Sequence, residues 1–458
     1  MAAIRTTSPR LSTKPWPEPC EQLSSRIRGS PGSPPPRARC DAGVTPRVAA
    51  PGAFTQLART PGVSAAFVLV LLAFGGFSLL LPVVPLAVVR GGGSEFVAGA
   101  TTGVFMTVTV LFQLATPRLT SVIGYRWVLA IGSSLLGLPS GLLALFDGSF
   151  AVLAISGVRG AGFGMMTVAG SALVAELAPP GMLGRATSLI GLAVGISEAI
   201  FLPVGLWLLD IFGLPTVAWS ATAFGVVGLV AAARLPHVYP SPPEPSGQLT
   251  LSAKQVLILL AGPFLVMVAV TLPYGAAASF LSPALDSLAS GSGAVVAGVG
   301  LGLLGAGVIV GRTFAGLISD RRGPGALVWP GLVVAAVGML GIAGLLMIEV
   351  NPWWFLVPTV VFGLGFGAVQ NEALVASFER MPRSRLGTAS ASWNISFDAG
   401  TGLGSVVMGG FAGFGYVVLF AVAAGVVLAV GGPAAVGGRR TRPTRDLPVT
   451  DPGDKVNQ

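Results

Sequence analysis

Arg159, Glu198 and Asp398 are ionisable side chains that lie inside long apolar runs of the sequence. A charged side chain at the centre of a bilayer costs about 2.5–3.5 kcal/mol on insertion scales, so such residues usually serve a function. A carboxyl group held away from water favours its neutral form and can carry a proton near neutral pH. The residue types therefore indicate proton coupling, with Glu198 and Asp398 as candidate proton carriers and Arg159 as a further candidate.

Each of the three residues also has a structural alternative. Arg159 could donate hydrogen bonds to a neighbouring helix, and Glu198 could form an ion pair with Arg159. Asp398 could make a polar contact that only packs two helices together. The positions in the sequence leave these alternatives open.

A short charged segment separates two other apolar runs. One run ends near Gly316, Asp320, Arg321, Arg322 and Gly323, and the next begins directly after it. Two membrane-length runs joined by so few residues must be antiparallel neighbours. Gly316 and Gly323 suit a sharp reversal because glycine tolerates positive φ. Asp320 is placed to accept hydrogen bonds from the positive end of a nearby helix.

This segment resembles the loop signature of the major facilitator superfamily, which is Gly, two residues, Ser or Ala, Asp, Arg, one or two residues, Gly. The glycine-rich stretch after Arg159 resembles the family's helix-four motif, which is linked to proton coupling. The resemblance covers roughly residues 63–436. It implies an all-α membrane protein with the MFS fold, in which 12 transmembrane helices form two pseudo-symmetric six-helix bundles. It also implies a transporter that acts as a monomer.

The resemblance assigns roles to further residues. The family's tenth helix borders a central cavity, so Gln370, Asn371 and Glu372 are candidates to line it. Adjacent helical residues point about 100° apart, so at most two of the three can face one cavity. Glu372 could instead be wetted from the cytoplasmic end. In the family, the loop acid that Asp320 matches helps to hold the cytoplasmic side shut, and we expect Asp320 near the start of the fifth helix. The first-half loop has Ser121 where the family usually has an acid, so its contact should be weaker.

The composition agrees with a membrane protein. The sequence is 53% hydrophobic and only 10% charged, whereas soluble domains are about a quarter charged. The net charge of +9 comes from residues in tails and short loops, so it reports topology and not nucleic-acid binding. The single His, His237, excludes a His-based metal site within the membrane, and we expect no metal or cofactor. Cys20 and Cys40 lie in a tail that we expect to be reduced.

The apolar runs predict twelve helices, each long enough to cross a bilayer. They lie at about 63–89, 96–116, 126–146, 150–174, 186–209, 214–235, 254–284, 294–317, 325–348, 353–376, 387–411 and 414–436. The predicted organisation is therefore a bundle over 62–235, a linker over 236–253, a second bundle over 254–436 and a tail over 437–458. Residues 1–61 are rich in Pro, Ser and Arg and are predicted to be a disordered tail. The alternative is that the start is placed too early and this tail is absent from the mature protein.

The distribution of basic residues predicts the orientation. Arg and Lys cluster in the two tails and on one set of loops, while the other set has Arg90 as its only basic residue. By the positive-inside rule both termini are cytoplasmic, in the cell membrane.

An internal repeat supports two similar halves. A shift of 203 residues places Gly160–Gly164 on Gly363–Gly367 without gaps, and a shift of 199 places Val97–Gly99 on Val296–Gly298. Halves of like orientation are related by an axis along the membrane normal, with the substrate site between them near the midplane.

The predicted function is secondary active transport, most consistent with proton-coupled efflux of small amphipathic molecules. The sequence has no Gly-Lys-Ser/Thr phosphate loop and no pattern typical of an enzyme. The alternatives are proton-coupled uptake of a small polar metabolite, and a membrane sensor or scaffold that transports nothing. The predicted partners are the substrate, protons and the lipid bilayer, with no nucleic acid.

Overall fold

The structure, a computed structural model, describes residues 62–146, 148–178, 183–240, 252–288, 292–322, 325–348, 350–381 and 385–440. At 183–189, 320, 386 and 436–440 it describes the backbone only. The predicted tail over 1–61 and most of the predicted linker lie outside the described residues.

The regular secondary structure of the described residues is entirely helical. The helices are α1 (Val63–Leu80), α2 (Val83–Arg90), α3 (Glu95–Gly137), α4 (Ser149–Leu177), α5 (Leu183–Phe212), α6 (Leu214–Ala233), α7 (Ala253–Leu288), α8 (Gly293–Arg322), α9 (Val328–Met347), α10 (Leu356–Glu379), α11 (Leu386–Ala412) and α12 (Tyr416–Arg440). Short 3-10 helices follow α3 at Leu138–Ala144 and precede α10 at Pro352–Phe355. The predicted C-terminal tail begins later than expected, because α12 continues to Arg440.

Ten helical segments of the described chain are long and apolar enough to cross a membrane. One of them, Glu95–Ala144, has 50 residues, which is enough for two crossings. It is kinked at Gly124, whose φ of 78° and ψ of 163° are not helical. The 27-residue helix α11 is more polar and is of spanning length as well. These segments are consistent with the twelve predicted crossings, and α1 and α2 belong to a single spanning segment that is interrupted at Leu81 and Pro82.

The turn between α8 and α9 differs from the prediction. Gly316 lies inside α8, which continues to Arg322, so the expectation that Gly316 reverses the chain is wrong. The glycine with positive φ in this turn is Gly325, at 88°. Gly323, also predicted to make the turn, lies outside the described residues. The apolar run and the charged residues that follow it are compatible with one continuous helix, because the arginines occupy its last turn, where cations are favourable.

Packing inside the two halves repeats. In the N-terminal half, Phe163 of α4 packs on Phe74 of α1 with ring centroids 5.1 Å apart. In the C-terminal half, Phe366 of α10 packs on Tyr274 of α7 at 5.2 Å. The shift of 203 residues places Phe163 on Phe366, so the sequence repeat is also a structural one.

Two helix pairs join the halves: α3 with α11, and α5 with α8. Glycines permit these backbones to approach closely, as is usual for helix packing in membranes. Gly99 of α3 lies against the backbone of Ser405 in α11, and Gly298 of α8 lies against Pro203 of α5. These contacts occur in the parts of the helices nearest to Arg90. We call this side of the molecule the Arg90 face and the side of the α8–α9 turn the Arg321 face.

Candidate functional site

The first polar contact between the halves joins α3 and α11. Gln113 donates from Nε2 to Oδ2 of Asp398 at 2.6 Å, and its Nε2 is also 3.2 Å from Oγ1 of Thr167 in α4. Gln113 and Asp398 are 4% and 6% exposed. A hydrogen bond to a buried carboxylate is stronger than a neutral one and depends on the charge of that carboxylate. Asp398 therefore holds the two halves together in a way that gain of a proton would weaken.

A second pair of polar groups, which form no hydrogen bond or ion pair with each other, lies between α5 and α8. Glu198 of α5 and Arg312 of α8 lie close enough for their charges to interact. The Arg312 guanidinium also lies over the ring of Trp393 in α11, 5.9 Å from its centroid. The side chains of Glu198 and Arg312 are only partly buried.

The two contacts are related by the repeat. A shift of 199 residues places Gln113 on Arg312, so each half supplies a donor from its second membrane crossing. Each half also supplies a carboxylate from its fifth crossing, Glu198 in α5 and Asp398 in α11. A shift of 203 places Asp398 on Gly195, about one helical turn from Glu198, so the acceptors match less closely. Glu198 also interacts electrostatically with Asp398, which couples the two contacts.

Arg159 lies apart from both contacts. Its Nε donates to Oγ of Ser140 at 2.9 Å, and its guanidinium lies 5.4 Å from the centroid of the Phe105 ring. Among the described residues the cationic partner of Glu198 is Arg312, so the alternative that paired Glu198 with Arg159 is wrong. The hydrogen bond to Ser140 agrees with the other alternative, an Arg that bonds to a neighbouring part of the chain.

The polar triplet of α10 is divided between two places. Glu372 is fully buried and its carboxylate accepts from Oγ of Ser319 and from the backbone N–H of Gly325. These contacts place Glu372 at the α8–α9 turn. Gln370 is buried, and its backbone oxygen accepts from Nε1 of Trp393 at 3.2 Å. Asn371 is partly buried, and its Nδ2 has no hydrogen-bond partner among the described residues. Gln370 and Asn371 thus remain the predicted cavity residues of this triplet.

The predicted gating loop is described only in part. Arg321 and Arg322 end α8 and are exposed, whereas the side chain of Asp320 and the residue Gly323 lie outside what the structure describes. The contact predicted between Asp320 and the start of α5 therefore stays a prediction. In the N-terminal half, Ser121 makes a local hydrogen bond to the carbonyl oxygen of Arg118 at 2.7 Å.

An ion-pair network closes the Arg90 face. Arg90, at the end of α2, donates from Nε and Nη2 to both carboxylate oxygens of Asp286 in α7, at 2.8 and 2.7 Å. It also contacts Asp210 near the end of α5 at 3.3 Å. Because Asp286 belongs to the other half, we call this network the Arg90 latch. Its geometry is bidentate, the strongest form of an Arg–carboxylate contact.

Three residues of these contacts are not among the candidates predicted from the sequence: Arg90, Arg312 and Gln113. Arg90 is the single basic residue on its set of loops, and a lone cation of this kind can indicate a specific acidic partner. Arg312 stands within an apolar run, and the argument applied to Arg159 would have identified it. Gln113 is neutral, and nothing in a single sequence separates it from an ordinary packing residue. Among the described residues no group of three His, Cys, Asp or Glu side chains could hold a metal ion.

The fold and this site define a polytopic membrane protein with two like-oriented helical halves and polar groups between them. The family model of the Major Facilitator Superfamily matches residues 66–405, so the chain belongs to this superfamily of transporters. Two Mycobacterium tuberculosis proteins, the uncharacterized MFS-type transporters Rv1877 and MT1926, are each 27% identical over 177 residues. Each match covers 38% of this chain but only 26% of the relative.

Solved structures of transporters share the fold. A crystal structure of the nucleoside transporter NupG matches with a TM-score of 0.65 and 12% identity, over 83% of this chain and 99% of that one. The peptide transporter POT matches with a TM-score of 0.67 and 15% identity, over 83% and 95% of the two chains. A third match is a bacterial homolog of the human lysosomal transporter Spinster, solved in an inward-facing and unoccupied conformation. Its TM-score is 0.65 and its identity 13%, over 87% of this chain and 100% of that one.

Proposed function

We propose that this transporter exports small amphipathic molecules in exchange for protons, by alternating access. The observation that supports it most is the pair of contacts between the halves, because each depends on a carboxylate that can lose its charge. Both Glu198 and Asp398 lie on helices that join the halves, α5 and α11. A change of charge there alters the force between the halves directly, with no relay of side chains.

The proposed orientation places the Arg321 face in the cytoplasm of a cell-membrane protein. Arg and Lys concentrate at that face in the sequence, as the positive-inside rule expects. The Arg90 latch and the glycine contacts close the opposite face. On the Arg321 face, Gly191 of α5 and Gly387 of α11 have no atom within 4 Å of the position of an added Cβ. The arrangement thus supports an inward-facing conformation.

The charged contacts explain how exchange could be obligatory. In the empty carrier, Asp398 binds Gln113 and Glu198 faces Arg312, and these contacts hold the halves in one arrangement. A proton neutralises a carboxylate, while a bound substrate competes for the same polar groups. Either one weakens the contacts, and only then do the halves move. An empty, deprotonated carrier would stay locked, which prevents a leak.

Aromatic side chains beside these groups favour an amphipathic substrate. Tyr274 packs on Phe366 at 5.2 Å and on Phe397 at 5.7 Å, and Trp393 packs on Phe397 at 6.2 Å. Apolar walls with a few polar groups are typical of sites for small organic molecules. Both halves of the site come from a single chain, so we propose that a monomer suffices. The predicted bundles over 62–235 and 254–436 are the proposed moving units.

A flux assay in proteoliposomes tests this proposal. Vesicles holding the full chain are loaded with a mixed panel of amphipathic and polar compounds, and a pH gradient is imposed. We expect the gradient to accelerate movement of amphipathic compounds against the proton flow. Glu198→Gln and Asp398→Asn should abolish the acceleration but retain exchange of substrate for substrate, while Glu95→Gln at the start of α3 should behave as wild type.

Three results would contradict the proposal. Acceleration of polar compounds in the same direction as protons would instead show uptake. Full acceleration in both carboxylate variants would remove these residues from coupling. Absence of flux for the whole panel, with correctly inserted protein, would favour the sensor or scaffold alternative.

A further inference from the structure

Arg159 is a buried cation without a counter-ion among the described residues. Its side chain is 3% exposed, and Nε alone has a protein acceptor, Oγ of Ser140 at 2.9 Å. No described carboxylate lies within the 4 Å range of an ion pair. An isolated charge away from water is costly and is normally paired. Arginine does not release its proton in proteins, so Arg159 cannot carry a proton without a partner that can.

The guanidinium of Arg159 faces a small pocket. The pocket has a volume of about 20 Å³, and its polar lining is Arg159, Ser156, Thr101 and Thr102. A volume of about 10–15 Å³ is enough for one water molecule, so only a small group fits in this conformation. Ser156 lies three residues before Arg159 on the same face of α4, and its hydroxyl makes no hydrogen bond within the described chain. The pocket therefore offers free donors beside an unpaired positive charge.

We propose that this pocket is an anion subsite, in which Arg159 and Ser156 bind one carboxylate-sized anionic group. The two terminal nitrogens of a guanidinium match the two oxygens of a carboxylate, and the Ser156 hydroxyl supplies a third donor. The group comes either from a free small anion or from the acidic end of a transported molecule. The second source rests on the proposed export function and names its substrate class, amphipathic acids.

The wall of the pocket belongs to the interface between the halves. Thr102 Oγ1 lies 3.2 Å from Oγ of Ser279 in α7, and Ser279 Oγ lies 2.9 Å from Oγ of Ser405 in α11. These hydroxyl groups form a chain from the pocket into the C-terminal half. An anion that competes for the Thr102 hydroxyl would disturb this chain, so occupancy of the pocket is sensed where the halves meet.

Thermal unfolding of the purified full chain tests anion binding. The probes are sodium acetate and sodium chloride at constant ionic strength, balanced with sodium gluconate, whose anion is too large for the pocket. We expect acetate or chloride to raise the unfolding temperature of the wild type saturably, and Arg159→Gln to lose this response. Arg312→Gln, which removes the partly buried guanidinium between α5 and α8, should retain it. No saturable response in the wild type, or an unchanged response in Arg159→Gln, would overturn the proposal.

Two milder variants keep the test decisive if Arg159→Gln does not fold. Ser156→Ala should weaken acetate binding about tenfold, because one hydrogen bond to a charged group is lost. Arg159→Lys should keep the charge but weaken binding by a similar factor, because a point charge replaces a bidentate donor. If the acetate concentration that gives half of the stabilisation is unchanged in both variants, the subsite is contradicted.

The source of the anion is decided with 4-phenylbutyrate and its methyl ester. If the group belongs to transported molecules, the acid should be exported from proteoliposomes, compete with acetate in the unfolding assay and lose export in Ser156→Ala, whereas the ester does none of these. If the anion is free, export of neutral compounds should instead depend on acetate or chloride. Export of panel compounds without any anion effect sinks the subsite and leaves the export proposal standing. Saturable stabilisation by the anion without any flux supports the subsite and contradicts the export proposal.

Discussion

At the level of single residues, the role of a charged side chain inside the membrane depends on which groups it contacts. Asp398 accepts a hydrogen bond from Gln113, and Glu198 feels the charge of Arg312, so each carboxylate acts across the two halves. Glu372 is fully buried, yet its partners lie at one turn of its own half. Arg159 has no ionic partner among the described residues. Burial of a charged group therefore marks a position as special, but its partners decide what it can do.

Glu372 gives the first prediction at this scale. Glu372→Gln replaces a charged acceptor of two hydrogen bonds by a neutral amide, which weakens both contacts to the α8–α9 turn by roughly 1 kcal/mol each. We expect faster hydrogen exchange in peptides that contain Gly325, measured by mass spectrometry, with little change in α7. Glu379→Gln, at the end of the same helix α10, is the control. Equal exchange in the Glu372 variant and the wild type would show that these contacts do not order the turn.

Arg312 gives the second prediction. Arg312→Gln leaves Glu198 without its cation, so the charge of this carboxylate no longer attracts α8. We expect transport driven by the pH gradient to fall more than tenfold, whereas Arg312→Lys retains part of it. Gradient-driven flux at the wild-type rate in Arg312→Gln would show that Glu198 works without this partner.

At the scale of elements, helix pairs set the conformation. The pair α3 and α11 and the pair α5 and α8 are the principal connections between halves. Glycines let them approach near the Arg90 face, and the Arg90 latch adds an ionic contact at the same face. The closed face is therefore stabilised by backbone proximity and by charge. These two contributions can be removed separately.

The latch is tested by a change at Arg90. The Arg90 side chain is 32% exposed, so water screens its ion pairs and the latch contributes about 1 kcal/mol. Arg90→Ala should then shift the ratio of closed to open Arg90 face about fivefold toward open. Spin labels at Phe212 and Leu288, with Cys20 and Cys40 replaced by Ser, report the distance across this face. A distance distribution identical to that of the unmodified latch would contradict its role.

The glycine packing is tested at Gly99. A Cβ at this position would overlap the carbonyl of Ser405, so Gly99→Ala should hold α3 and α11 apart and favour the open Arg90 face. Gly410→Ala on α11 is the matched control, because a Cβ there meets no atom within 4 Å. The same spin-label pair should report a longer distance for Gly99→Ala alone. A similar lengthening in both variants would mean that the effect is not local packing.

At the scale of the whole molecule, the sequence predicts the helices well and the contacts poorly. Apolar runs place the long helices of the described chain within a few residues, because the bilayer imposes length and composition on each segment. The predicted turn after α8 begins too early, because arginines in the last turn of a helix resemble a charged loop in the sequence. Which carboxylate meets which donor depends on how the halves pack, so Gln113 could not be recognised as the partner of Asp398.

In the proposed mechanism, loss of charge at Glu198 and Asp398 releases the two halves from one arrangement. The most direct measurement is the distance across the Arg90 face, from spin labels at Phe212 and Leu288, followed in nanodiscs from alkaline to acidic pH. We predict that acid increases the open-face population in the wild type, and that the double variant Glu198→Gln, Asp398→Asn shows the acid distribution at every pH. A wild-type distribution that ignores pH, or a double variant that still responds as the wild type does, would contradict the account.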